Sequence, residues 1–237
     1  MIQDFTDEAT ARAWDVDPAS NNPTRTEQLD ILLTLVEGEY RPGSAILDIG
    51  MGSGRVEDSL LGRLPDAFVV GVDASVAMPA IAAGRLSGLR DRNEVHLHVR
   101  CEIRTLRLPP RANRVAFSVQ TIHNIPDRDK VEVIRWAFDN LEPGGLFLIL
   151  DRFAVETPGL FSCFKATWER LGRLHGADLG EGDSHAAHLE AVAGRGDLPA
   201  GLETHLGWMR DAGFEAACLH LHANRALIAG RRPIGRG

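Results

Sequence analysis

The sequence predicts an α/β protein built on a doubly wound, mostly parallel sheet, and three observations support this prediction. Short apolar segments alternate with helical segments between residues 45 and 151. A glycine-rich loop, LDIGMGSGR, follows the first apolar segment and precedes a helical one. The alternation returns in residues 201–230. Strands and helices at this spacing form βαβ units, in which helices cover both faces of a parallel sheet.

The individual elements are predicted in chain order. A Thr24-x-x-Glu27 capping box opens a first helix with an apolar face. The strands are predicted from apolar segments, at 45–49, 67–73, 94–99, 114–119, 146–151, 214–221 and 223–230. The later helices are predicted from apolar residues three or four positions apart, near 56–64, 75–86, 127–141 and 202–209. The last two strands are close enough in sequence to pair as a hairpin.

The 237 residues are predicted to form one domain with a helical insertion. Residues 1–40 would form an N-terminal helical lid and residues 41–151 the core with the glycine-rich loop. Residues 157–200 contain two helical stretches and several glycines, which makes them a cap and not a simple connection. Residues 201–230 would supply the closing helix and hairpin.

Composition and charge exclude several classes of protein. With 26 basic and 33 acidic residues, the net charge of −7 argues against a nucleic-acid partner. The longest apolar runs are far shorter than the roughly 18 residues of a membrane span. The first twenty residues carry acids and no apolar block, so no secretory signal is expected. Three separated cysteines indicate a reduced, cytoplasmic compartment.

The glycine-rich loop predicts a binding site for a cofactor that contains a nucleoside. Its alternating glycines let the backbone turn tightly and approach a ligand ahead of a helix N-terminus. Asp73 ends the second strand, where its carboxylate can accept the hydroxyls of a ribose. A dinucleotide fingerprint would require glycine where Arg55 stands. Asp48, beside the loop, would repel a pyrophosphate but suits an ammonium or a sulfonium.

These motifs resemble those of the class I S-adenosylmethionine (SAM)-dependent methyltransferases of the small-molecule type. ILDIGMGSG and VVGVDASVAM are similar to the first two motifs of the family. IHNIPDRDK followed by LEPGGLFLILD resembles its fourth strand, the helix after it and its fifth strand. The resemblance covers residues 25–151 motif by motif and residues 201–230 more loosely. It implies a Rossmann-like sheet of order 3-2-1-4-5-7-6 with an antiparallel last strand. It also implies SAM as cofactor and S-adenosylhomocysteine (SAH) as product.

The resemblance further implies the residues that contact SAM. Asp48 would support the loop at the methionine part, and Asp73 would hold the ribose hydroxyls. Arg25 would bind the SAM carboxylate from the N-terminal segment. Where the family often has Gly-Asp at the adenine, this chain has Cys101-Glu102. The full implied set is Trp14, Arg25, Asp48, Gly50, Met51, Gly52, Gly54, Asp73, Ala74, Met78, Glu102, Ile103, Val119 and Gln120.

His123 and Asp151 are the candidates for catalytic groups. His123 follows the fourth strand, where a base or a residue that orients the acceptor would lie. The family often has His-His where this chain has His123-Asn124. Asp151 ends the fifth strand and could orient His123 or bind an acceptor amine. The structural alternatives are a histidine bonded to backbone and a carboxylate that caps a turn.

The cap is expected to supply the pocket for the acceptor. Its candidate residues are Phe161, Phe164, Trp168, His185 and His188. The aromatic residues are spaced like a helical core stripe, which is the alternative interpretation. His185 and His188 have only Asp183 as a third candidate ligand, so no metal is expected. The content of the cap favours a moderately apolar acceptor, such as a natural-product or secondary-metabolite intermediate.

Three functions are compatible with these patterns. Methyl transfer from SAM to a small molecule is the leading hypothesis. A SAM-binding protein that does not transfer methyl, either a regulator or an enzyme with another SAM-dependent reaction, is the alternative. An NAD-dependent oxidoreductase is disfavoured by Arg55. The HNIP segment at 123–126 lacks the turn used to methylate base amino groups. The N-terminal helices would suit a homodimer, and the acceptor and the atom that is methylated stay open.

Overall fold

A seven-stranded sheet forms the centre of the described part of the chain, in the order β3-β2-β1-β4-β5-β7-β6. In this computed structural model the described residues are 22–75, 77–88, 93–97, 100–108, 111–177, 179 and 181–235. Only the backbone is described for residues 79, 93–97 and 100–102. The strands are β1 (Ala45–Ile49), β2 (Phe68–Asp73), β3 (Asn93–Leu97), β4 (Asn113–Val119), β5 (Leu141–Arg152), β6 (Glu215–His222) and β7 (Arg225–Arg231).

Helices lie between the strands and in the cap. They are α1 (Arg25–Glu39), α2 (Arg55–Arg63), α3 (Met78–Arg85), α4 (Asp127–Asn140), α5 (Phe161–His175), α6 (His185–Gly194) and α7 (Leu202–Asp211). Short 3₁₀ helices occur at Arg100–Thr105, Ile122–Asn124 and Pro158–Leu160. Among the described residues, no helix has both the length and the apolar character needed to cross a bilayer.

The sheet buries both of its faces, as the predicted doubly wound topology requires. Alternate residues of β5 enter different cores: Phe147 packs with α4 and α7, and Leu148 packs with α1 and α2. β1, β2, β3, β4 and β5 are parallel, whereas β7 runs antiparallel to both β5 and β6. The predicted fold class, strand order and terminal hairpin are therefore confirmed.

Two predicted details were wrong. The Thr24 hydroxyl donates to Asn22 Oδ1 over 2.9 Å and makes no capping bond, so the predicted capping box does not form. β5 begins at Leu141, five residues before the predicted start, because Leu141 pairs with Asn113 of β4. Both differences depend on contacts that apolar periodicity does not report.

The topology brings several loops together at the carboxyl edge of the sheet. β1 lies between β2 and β4, so the strand order reverses beside β1. Ligands of doubly wound sheets bind at this switch point, beyond the carboxyl ends of the strands. The loops after β1, β2, β4 and β5 meet there, and the cap residues 157–200 follow β5.

Candidate functional site

The loop after β1 has a backbone conformation that requires glycine. Gly50, Gly52 and Gly54 have φ values of 82°, 55° and 77°, in the left-handed region that other residues rarely adopt. A Cβ atom at Gly50 would collide with the side chain of Thr121, in the loop after β4. The hydroxyl oxygen of Thr121 lies 3.1 Å from the carbonyl oxygens of both Gly50 and Val119. The two loops are therefore fixed against each other at the switch point.

Asp73 joins this loop to the end of β2. Its Oδ2 accepts a hydrogen bond from the backbone N–H of Gly52 over 2.8 Å, and its Oδ1 accepts one from Ser75 over 2.7 Å. The carboxylate is thus oriented by backbone amides before any ligand binds. Met78, at the start of α3, is buried nearby with Ala77 and Ile81.

Asp48 and Glu57 form a buried carboxyl pair beneath the loop. Each is 1% exposed. Apart from the contact between the two carboxyls, Asp48 Oδ1 and both Glu57 oxygens receive no hydrogen bond from another described residue. Burial and the adjacent Glu57 carboxyl raise the pKa of Asp48 well above its ordinary value, and burial raises the pKa of Glu57 to about 7. The two carboxyls can therefore share a proton at neutral pH.

The remaining residues implied by the resemblance take several positions. Arg25 begins α1 and is buried, and burial together with repulsion from Arg55 lowers its pKa. Ala74 is exposed, whereas Met51, Ile103 and Val119 are buried. Trp14 and the side chain of Glu102 lie outside the described residues.

His123 and Asp151 are in direct contact, as the sequence predicts for a histidine oriented by an acid. His123 Nδ1 lies 2.5 Å from Asp151 Oδ1, and the backbone N–H of His123 donates to Asp151 Oδ2 over 3.1 Å. Burial raises the pKa of Asp151, but attraction to His123 and hydrogen bonds from His123 and Arg152 outweigh it, so this pKa lies below its ordinary value. The ionised carboxylate selects the tautomer with the proton on Nδ1. His123 Nε2 then faces Asp197 Oδ1 at 3.7 Å.

A cluster of charged residues, all buried except the partly exposed Arg195, surrounds this dyad at the carboxyl edge, and we call it the rim cluster. Its members are Arg152, Glu181, Arg195, Asp197 and Arg225. Arg152 donates to Asp197 over 2.6 Å, and Arg195 donates to the same carboxylate over 3.2 Å. Burial and repulsion from Arg152 lower the pKa of Arg225 to about 10.

Sequence reasoning missed both Glu57 and the rim cluster. Glu57 could have been found, because it lies three and four positions before Leu60 and Leu61 on the buried face of α2. The sequence indicates the rim cluster only weakly, through charged residues that stand at the ends of apolar strand segments. Its ion pairs join residues as far apart as Arg152 and Asp197, and no local pattern reports such contacts.

The five predicted acceptor-pocket residues lie together in the cap. Trp168 stacks on His188 with 5.1 Å between ring centroids, and Phe161 contacts Trp168 and His185 at 5.8 Å each. Phe164 contacts Trp168 at 6.0 Å. Both imidazoles have backbone partners: His185 Nε2 lies 2.9 Å from the Val155 carbonyl oxygen and His188 Nδ1 3.0 Å from that of Glu181. Within the described ranges, no three or more His, Cys, Asp or Glu side chains are arranged so that they could hold a metal ion.

Comparison with known proteins agrees with this geometry. Residues 46–145 match a family model described as a methyltransferase domain. A carboxy-S-adenosyl-L-methionine synthase from Chromohalobacter salexigens is 28% identical over 188 residues, which are 78% of this chain and 67% of the synthase.

Solved structures share the fold. An O-methyltransferase family protein from Burkholderia thailandensis has a TM-score of 0.69 and 20% identity, over 98% of this chain and 62% of that one. A Haemonchus contortus phosphoethanolamine N-methyltransferase 2, solved with phosphomonomethylethanolamine and SAH, has a TM-score of 0.68 and 18% identity, over 98% and 60%. An O-methyltransferase family 2 protein from Planctomyces limnophilus, in complex with apigenin, has a TM-score of 0.57 and 20% identity, over 86% and 61%.

This chain thus spans about 60% of the length of these solved structures. The domain match, the strand order and the geometry of the glycine loop agree with the resemblance seen in the sequence. They confirm SAM as the cofactor. The chain is thus similar to the SAM-dependent methyltransferases, through the methyltransferase domain that residues 46–145 match.

Proposed function

We propose that this protein transfers the methyl group of SAM to a small-molecule acceptor of natural-product or secondary-metabolite type. The observation that carries the proposal is the Asp73 carboxylate, held by backbone amides across a glycine loop at the switch point of the sheet. The apigenin bound to the Planctomyces limnophilus protein supports an acceptor of this type. The cytoplasmic location and the homodimer stay predictions.

The residues present fit SAM. A Cβ added at Gly52 would have no atom within 4 Å, so the loop leaves open space there, which suits close approach of the methionine part. Asp73 would accept the ribose hydroxyls, and Arg25 would bind the SAM carboxylate. Asp48 and Glu57 place negative charge beneath the loop, which suits a ligand with an ammonium and a sulfonium. Met78, Ala74, Ile103 and Val119 would complete the contacts to adenine and methionine, together with Gln120.

SAM supplies an activated methyl group. The chain has to align the acceptor with this group and accept the proton that the acceptor loses. Asp151 holds Nδ1–H of His123, so Nε2 is the nitrogen that can accept a proton from a hydroxyl or an ammonium of the acceptor. The imidazolium formed would lie between the carboxylates of Asp151 and Asp197. His123 would thus act as general base and Asp151 as the residue that orients it.

Calorimetric titration with SAH tests the cofactor site. Wild-type protein should bind SAH with micromolar affinity, and Asp73→Ala should weaken binding at least tenfold, because it removes the proposed acceptor of the ribose hydroxyls. NAD is the control ligand and should not bind. No SAH binding, or a preference for NAD, would contradict the proposal.

Carboxylation of SAM is a second candidate, supported by the name of the curated relative. In that reaction SAM itself is modified, and no methylated acceptor or SAH appears. Incubating the protein with SAM and a mixture of biological carboxylic acids, followed by mass spectrometry, separates the two candidates. Methyl transfer produces SAH. In the alternative, a carboxyl group replaces one hydrogen of SAM, so the derivative is heavier by CO2 and the donor acid is released without that CO2.

A further inference from the structure

Lys130, in the first turn of α4, has a side chain that is completely buried. Its exposed fraction is 0%, whereas lysine is almost never fully buried in proteins unless it is paired. Burial of an ammonium group costs free energy, and the N-terminal end of a helix disfavours positive charge. Specific contacts of its Nζ atom therefore have to stabilise Lys130 in this position.

The Nζ atom of Lys130 has two partners among the described residues. It donates to Asp127 Oδ1 over 2.7 Å and to the carbonyl oxygen of Leu198, near the end of the cap. The Asp127 side chain is 63% exposed, and an ion pair with so exposed a carboxylate contributes little to stability. The contact that accounts for the buried position is therefore the bond to Leu198.

The backbone of Leu198 is bound through both of its polar groups. Its N–H donates to the His123 carbonyl oxygen over 2.6 Å, and its carbonyl oxygen accepts from Lys130. Its side chain is 48% exposed, so apolar packing contributes little to holding this residue. The two hydrogen bonds therefore fix the end of the cap against α4 and against the 3₁₀ helix that carries His123.

Asp197, the residue before Leu198, faces the proposed base. Its Oδ1 lies 3.7 Å from His123 Nε2, and its Oδ2 accepts hydrogen bonds from Arg152 and Arg195. A carboxylate that is already in place stabilises a developing imidazolium best, because nothing has to reorganise during the reaction. The peptide group that joins Asp197 to Leu198 carries the N–H bound by His123, so the bonds that fix Leu198 also fix Asp197.

We propose that Lys130 is a positioning residue for methyl transfer, which holds Asp197 opposite Nε2 of His123 through the carbonyl group of Leu198. The inference rests on the proposed function, in which His123 accepts a proton and its imidazolium lies between two carboxylates. Lys130 acts on His123 through Leu198 and Asp197. It should therefore affect the rate of the reaction more than the binding of SAM or of the acceptor.

The first test measures hydrogen exchange by NMR on the full chain. In the wild-type protein, the Leu198 amide should exchange roughly 100-fold more slowly than in an unfolded chain, although its side chain is exposed. Lys130→Met, which removes the donor, should accelerate this exchange by roughly tenfold or more. Lys165→Met is the matched control, because Lys165 is ion-paired to Asp183 in the cap, and it should have no effect. Rapid exchange of Leu198 in the wild-type protein, or equal rates in the two variants, would overturn the inference.

The second test uses steady-state kinetics with an acceptor identified in the methyl-transfer assay. Lys130→Met should lower kcat by roughly tenfold or more and change KM and the affinity for SAH by less than about threefold. Lys130→Arg, which retains a charged donor, should recover most of kcat. Lys165→Met should keep the kcat of the wild-type protein. Equal kcat in Lys130→Met and in the wild-type protein would contradict the positioning role.

A double-mutant cycle separates positioning from a general effect on stability. If Lys130 acts through Asp197, Lys130→Met should lower kcat little further in a protein that already carries Asp197→Asn. Equal reductions in both backgrounds would overturn the inference, and circular dichroism checks that each variant folds. If the wild-type protein methylates no acceptor, the proposed function itself fails. If it does and kcat does not depend on Lys130, only the positioning role is wrong.

Discussion

At the scale of single residues, the fold brings His123 and Asp151 into contact although they lie far apart in the sequence. The two residues are 28 positions apart, yet both oxygens of Asp151 contact His123, one at the ring and one at the backbone. This places the ring proton on Nδ1, so Nε2 is the nitrogen that would face the acceptor in the proposed function. The orientation of the ring therefore depends on a single carboxylate.

Asp151→Asn is expected to lower kcat by roughly 100-fold or more with a much smaller change in KM. An amide nitrogen can donate to Nδ1 and stabilise the wrong tautomer, which removes a general base that is typically worth 10²–10⁴ in rate. Steady-state kinetics with the acceptor identified in the methyl-transfer assay measures this. Asp139→Asn, on the exposed surface of α4, is the control. Equal kcat in both variants would show that His123 is not the base.

Glu57 makes the stability of the protein depend on pH. Its pKa is raised from 4.5 to about 7 in the folded state, so the folded protein binds this proton more tightly than the unfolded chain does. The stabilisation is complete below about pH 4.5 and is lost as pH rises through 7. In the wild-type protein, the free energy of unfolding should decrease by on the order of 2 kcal/mol between pH 5 and 8. In Glu57→Gln, which stays neutral, this decrease should largely disappear.

Urea denaturation at several pH values measures this difference. Glu37→Gln, on the exposed surface of α1, is the control and should keep the slope of the wild-type protein. Identical slopes in wild type and Glu57→Gln would mean that the carboxyl pair does not hold a proton near neutral pH.

At the scale of elements, the glycine loop and α2 can be predicted together from sequence. The alternating glycines predict a tight turn, and the apolar stripe that follows predicts a helix. Contacts from other elements could not be predicted. Thr121 excludes a side chain at Gly50, but it belongs to the loop after β4, and periodicity contains no information on how two loops meet.

Gly50→Ala should weaken SAH binding at least tenfold and destabilise the protein by about 2 kcal/mol or more, since alanine is strained at this φ and its Cβ collides with Thr121. Gly62→Ala, in α2, is the matched control, because no atom lies within 4 Å of its added Cβ. This second change should stabilise the helix by about 0.5–1 kcal/mol. Calorimetry and thermal denaturation measure both effects. Equal SAH affinities would contradict the packing of the two loops.

At the scale of the whole molecule, the cap is attached to the sheet by buried polar contacts. Arg152 at the end of β5 binds Asp197 of the cap, and the backbone N–H of Leu198 donates to the His123 carbonyl oxygen over 2.6 Å. The doubly wound sheet was predictable from the repeated βαβ pattern, and its strand order was predictable from the resemblance to the methyltransferases. The attachment of the cap was not, because it depends on pairs of charged residues far apart in sequence.

Asp197→Asn should loosen the cap without unfolding the core. The change weakens the pairing of a buried guanidinium, and breaking a buried ion pair costs about 3–5 kcal/mol. Hydrogen exchange should therefore accelerate at least tenfold in α5 and α6, with little change in β4. Asp183→Asn is the matched control, since the carboxylate that pairs with Lys165 is 96% exposed. Uniform acceleration across cap and core would contradict a separately attached cap.

The antiparallel direction of β7 bears on how selectivity for the acceptor could be changed. Because β7 runs against β5, the strand delivers its first residue, Arg225, to the carboxyl edge. The turn before it, Ala223-Asn224, also bonds the cap, through Asn224 and Trp168. Under the proposed function, changes to this two-residue turn would therefore alter acceptor choice, while the glycine loop, more than 150 residues earlier, would continue to hold SAM. In that function, the sites for cofactor and acceptor would be separately adjustable, and this turn would be the first position for directed evolution towards new acceptors.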